Sequence, residues 1–72
     1  MDWQPAVVKY LISGGVMGRS QASLIAKAGG HIRDGEVIGF LRILAEDKKA
    51  QKYILPGQVP WWRATTNILK LS

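Results

Sequence analysis

Six cations carry the clearest chemistry in this chain: Arg33, Arg42, Lys48, Lys49, Lys52 and Arg63. An Arg offers a planar fork of donors that fits a phosphate or a guanine edge, and a Lys offers a mobile point charge. Arg33 precedes a stretch with helical spacing, and Arg42 lies two turns into it. The four others surround two stretches of strand-like composition. Side chains of this kind, placed this way, neutralise a polyanion. The competing reading is solvated charge. In that reading Arg33 and Arg42 pair with Asp34, Glu36 or Glu46 on the surface, and the basic hairpin only aids solubility.

No nucleophile stands with an evident base and orienter, so no catalytic set is visible and an enzyme is not expected. The chain holds no Cys and a single His, His31, which sits in a turn. One His builds no zinc site, because structural zinc takes four N or S ligands. The Gly pairs lack a following Lys-Ser/Thr, so there is no phosphate-binding P-loop. No cofactor is expected.

The chain has 72 residues, with ten Lys/Arg against five Asp/Glu and a net charge of +5. Residues 1–47 hold five cations and all five acids, and cancel. Residues 48–72 hold Lys48, Lys49, Lys52, Arg63 and Lys70 and no acid. The whole excess therefore lies in the C-terminal third, which points to a polyanionic partner, most often nucleic acid. Apolar residues make up 47% of the chain, too many for a disordered tail. Apolar runs are far shorter than the roughly 20 residues of a membrane helix. The first residues carry no basic n-region, so no secretory signal is read and a cytoplasmic location is expected.

The elements that would position these cations follow from spacing. Pro5 suits a first helical turn, and residues 5–13 read as a helix that ends at Gly14-Gly15. Trp3 has no assigned contact. Val16–Arg19 is either a brief strand or an extended link. Ser20 is a credible N-cap, and residues 20–28 read as a second helix with Leu24, Ile25 and Ala28 on one face. After the Gly29-Gly30 turn, Asp34 is expected to cap a third helix over residues 34–46, with Glu36 in its first turn. Val37, Phe40, Leu41 and Leu44 form its buried stripe. Ile38 and Ile43 lie off that stripe. Residues 50–66 read as a hairpin, with strands on either side of Pro56–Pro60 and Gln58 at the tip. Trp61 and Trp62 must alternate faces, so one should enter the core and the other point outward. The outward one would stack on a base, meet a protein or simply pack. The whole chain is read as a single domain of α+β class.

This order resembles the winged helix-turn-helix family of DNA-binding domains. Ser20, Leu24, Ile25, Ala28 and Gly29 match its second helix. Ile32 matches the turn residue that plugs the core, and Val37, Phe40, Leu41 and Leu44 match its recognition helix. Tyr53-Ile54-Leu55 and Trp61-Trp62-Arg63 match the strands of the wing. The likeness covers roughly residues 6–66 and rests mostly on hydrophobic spacing. Small regulators of plasmid, prophage and fimbrial genes are similar in length and layout. Two departures stand out. Many members carry Gly just after the third helix, where this chain has Lys48-Lys49. The third helix also offers only Arg42 as an evident base or phosphate reader.

The resemblance implies double-stranded DNA as partner and transcriptional regulation as role. The third helix would lie in the major groove, with Arg33 at a guanine edge or phosphate and Arg42 on a phosphate. Arg19, Ser20 and Gln21 would approach the backbone at the start of the second helix. Lys48, Lys49, Lys52, Gln58 and Arg63 would form a wing that grips flanking phosphates. A homodimer or a partner would supply the rest of a useful site, and Ile68, Leu69 and Leu71 serve either a dimer contact or the core. The rival expectation is a winged-helix protein-interaction module, an adaptor or inhibitor, that docks through Ile38, Gly39, Ile43 and Trp61 or Trp62.

Overall fold

The computed structural model describes residues 2–54 and 56–65. The order is α1 (Gln4–Ser13), β1 (Arg19–Ser20), α2 (Gln21–Ala28), α3 (Asp34–Glu46), β2 (Ala50–Ile54) and β3 (Pro60–Ala64). The three helices and the three-stranded antiparallel sheet, in strand order β1-β3-β2, make a small α+β fold.

Each helix starts for a local reason. Pro5 sits in the first turn of α1, where no N–H is needed. Trp3 occupies the N-cap without a side-chain bond, and the Asp2 carboxylate accepts from the Gln4 N–H at 3.0 Å instead. Ser20 caps α2 as expected: its backbone is extended and its Oγ accepts from the Ser23 N–H at 3.3 Å. α3 differs by one residue. Arg33, not Asp34, is the N-cap, because the Arg33 carbonyl already accepts from the N–H groups of Glu36 and Val37. Asp34 is thus the first helical residue, where it and Glu36 face the positive end of the helix dipole.

The segment after α1 resolves as a strand of two residues. Arg19 pairs with Trp62 and Ser20 with Trp61. Gly18 makes this docking possible. It has φ +72°, and a Cβ there would meet the Trp62 carbonyl oxygen at 1.9 Å, so only glycine lets the chain pass this close to β3.

α3 ends in a Schellman arrangement. The Lys49 N–H bonds to the Leu44 carbonyl at 2.8 Å, and the Lys48 N–H to the Ala45 carbonyl at 3.0 Å. Lys48 takes φ +60°, the left-handed conformation that glycine usually supplies. The departure noted in the sequence is therefore one of residue type, with the glycine-like backbone retained. The chain then runs into β2. Gln51 pairs with Arg63, Lys52 with Trp62 and Tyr53 with Trp61. The expected hairpin is present, and the Thr65 N–H extends it by bonding to the Lys49 carbonyl. Thr66, Ile68, Leu69, Lys70 and Leu71 lie outside the described residues.

Strand parity assigns the faces. Ala50 and Trp62 are buried, and Ala64 packs on the same core with Val7, Leu11, Leu24, Ala28, Val37, Leu41 and Leu44. Trp62, 1% exposed, is the largest fully buried side chain. Phe40 is half-buried and packs against Trp3 in a T-shaped pair, with ring centres 5.4 Å apart at 82°. That contact gives Trp3 a place the sequence left open. Ile32 packs against the core from the α2–α3 turn.

Candidate nucleic-acid interface

Arg33 and Arg42 are both exposed on α3 or at its cap. Among the described residues neither makes an ion pair with Asp34, Glu36 or Glu46. The ion pair found there is Lys49 to Asp47, at 3.8 Å and at the surface. α3 itself is acidic, with Asp34, Glu36 and Glu46 against Arg42, and Asp47 at its C-cap.

Three expected contact residues at the start of α2 have other partners. Arg19 turns back on α1: its Nε donates to the Tyr10 carbonyl at 3.2 Å and its Nη2 to the Ser13 Oγ at 2.9 Å. Its guanidinium lies 4.2 Å from the centre of the Tyr10 ring. A cation here satisfies the open carbonyl end of α1, which has no basic residue of its own in its last turn. Ser20 is held by its cap bond. The Gln21 Oε1 accepts from the Trp62 indole N–H at 3.1 Å, which gives a buried donor its partner.

The hairpin cations do not gather on one face. Lys52 lies opposite Trp62 on the helix side of the sheet, with its Nζ 5.9 Å from that ring. Arg63 lies opposite Gln51 on the outer side, where its Nε and Nη2 both donate to the Gln51 Oε1, at 3.0 and 2.7 Å. Lys48 and Lys52 are exposed, Lys49 and Arg63 half-buried, and Gln58 is exposed in the loop between β2 and β3.

Of the residues assigned to protein docking, Ile43 is 57% exposed and Ile38 is half-buried. Trp61 is half-buried on the outer face. Trp62 must be withdrawn from that set, because its ring is locked in the core.

Charge counting along the chain hid a second basic group. Arg19 and Lys27 both approach the Tyr10 ring, at 4.2 and 5.4 Å, and Lys9 lines the same shallow groove with Ala6 and Ser13. The neutral total of residues 1–47 thus conceals a separation. Three of its five cations, Lys9, Arg19 and Lys27, sit around α1 and α2, while four of the five acids sit on α3 or its cap. Only packing brings Lys9 and Lys27 together, so no spacing signal marks them. Among the described residues no group of three or more His, Asp or Glu side chains could hold a metal ion. No helix among them is long and apolar enough to cross a membrane.

Comparison of the chain with protein-family models, with curated proteins and with solved structures finds no match.

Proposed function

We propose that the protein is a winged helix-turn-helix module that binds duplex DNA and serves as a small transcriptional regulator. The observation that carries this reading is that, among the described residues, three exposed cations, Arg33 at the cap of α3, Arg42 on α3 and Lys52 on the hairpin, make no ion pair with a carboxylate. The element order supports it, since a short strand precedes α2 and a hairpin follows α3. Arg33 at the front of α3 has the place of a base or phosphate reader, and Arg42 that of a phosphate clamp. The acids of α3 repel phosphate, so affinity comes from phosphate contacts at Arg33, Arg42 and the hairpin, and sequence reading is modest. Arg19, Ser20 and Gln21 contribute through position rather than through free side chains.

Fluorescence anisotropy of a labelled random-sequence duplex, titrated at several salt concentrations, tests the reading. Binding that weakens steeply with salt supports it. Folded protein that leaves the duplex unbound at low salt ends it.

Ile43 favours a second reading, docking of a protein partner. It is exposed beside a shallow groove lined by Trp3, Gln4, Gly35, Glu36, Gly39 and Phe40. Ile43→Lys would abolish that docking while leaving duplex affinity equal or higher.

A further inference from the structure

The outer face of the sheet carries aromatic rings that the core does not use. Tyr53 and Trp61 face each other in register, with ring centres 6.4 Å apart and planes tilted by 36°. Both are half-buried, and neither belongs to the core cluster. The Tyr53 hydroxyl donates to the Met17 carbonyl, on the chain leading into β1. β1 lies on the far side of β3 from β2, so the phenol crosses β3 and its ring is laid along the sheet and fixed there. The Arg63 guanidinium is 5.6 Å from the centre of that ring. Its Nε and Nη2 are oriented by Gln51, and its Nη1 has no partner among the described residues. The three strands contain no acid.

We propose that Tyr53, Trp61 and Arg63 form a stacking surface for unpaired bases of a single-stranded nucleic acid. The proposal rests on the nucleic-acid reading above and assigns a second, distinct ligand form to it. Aromatic faces accept any base once it has left the duplex stack, whereas duplex recognition uses base edges and phosphates. Arg63 lies over the Tyr53 ring, where it can meet the phosphate that follows a stacked base, and it adds a cation–π contribution. The charge matches: on the outer face of the strands the described residues place one cation, Arg63, and no acid.

The test compares a labelled oligothymidylate of about 12 nucleotides, which fits the usual range of single-strand site sizes, with a random-sequence duplex of the same length. Wild type binds the single strand. Trp61→Thr, which keeps a β-favouring residue, weakens that binding by about fivefold or more and changes duplex affinity by less than about twofold, within the scatter of a surface change. Trp61→Phe restores the single-strand affinity. Tyr53→Leu gives the same loss independently, and circular dichroism confirms that each variant is folded. Equal loss on both ligands, or no loss on the single strand, overturns the proposal. Duplex binding without single-strand binding also overturns it and leaves the duplex reading standing. Single-strand binding alone ends the duplex reading and sustains this one. Concentration-dependent self-association that Trp61→Thr abolishes, without single-strand binding, makes the face a contact between copies and overturns the proposal.

Discussion

Lys48 holds a left-handed backbone with an ordinary side chain, at a cost of about 1–2 kcal/mol relative to the right-handed region. Glycine has no such penalty there. Lys48→Gly is therefore expected to stabilise the fold by about 1 kcal/mol, read as a rise of about 4–8 °C in Tm for a domain of this size. The same substitution removes one cation between α3 and the hairpin, so it should lower duplex affinity while raising stability, a split that a merely destabilised protein would not show. Gln21 presents the opposite case. Its Oε1 is the partner of the Trp62 indole N–H. Gln21→Leu would leave that donor buried and unpaired, and urea unfolding should show a loss of about 1–3 kcal/mol. If Gln21 acted only on phosphate, stability would not move. Arg19 and Ser20 illustrate the same point: residue types suited to phosphate are equally suited to helix ends, and the sequence alone does not separate the two uses.

At the scale of elements, β3 joins everything. It lies between β1 and β2, and its alternating side chains feed the core on one side and the aromatic face on the other. Trp62→Ala should cost about 3–5 kcal/mol through the cavity it leaves, enough to unfold most of a domain this small, and thermal melting would read it directly. Trp61→Thr, one residue away, should leave the fold intact. Gly18 works at the same joint. Gly18→Ala forces a Cβ into the Trp62 carbonyl and requires a positive φ that alanine resists. The expected result is loss of the β1–β3 pairing and of near-ultraviolet circular dichroism from the buried indole.

For the whole molecule, charge is arranged rather than merely abundant. Acids collect on α3, one basic group surrounds Tyr10, Arg33 and Arg42 are exposed, and Lys48, Lys49, Lys52 and Arg63 follow α3 into the hairpin. If the duplex reading holds, Arg33→Gln, Arg42→Gln and Lys52→Gln should each reduce the steepness of log K against log salt by about 0.9, whatever the sequence of the duplex. A control at Lys9 should leave the slope unchanged if the duplex meets α3 and the hairpin alone. A reduced slope there would show that the α1–α2 group also meets phosphate.

The elements were written in local chemistry. Pro5, Ser20, the Gly pairs and the i, i+3, i+4, i+7 stripe of α3 act over a few residues, so helix positions, the hairpin and the opposite fates of Trp61 and Trp62 were legible before any packing was known. The start of α3 moved by one residue because a backbone carbonyl, which every residue has, determined the cap. What only tertiary structure decided was the use of side chains at a distance. Arg19 reaches nine residues back to Tyr10, Gln21 reaches across to Trp62, and Tyr53 crosses β3 to Met17. Lys52 and Arg63 part company because register, not composition, decides the face of a strand. Hydrophobic periodicity reports which way a residue points relative to its own element. It carries no information about which polar group from another element will be waiting there.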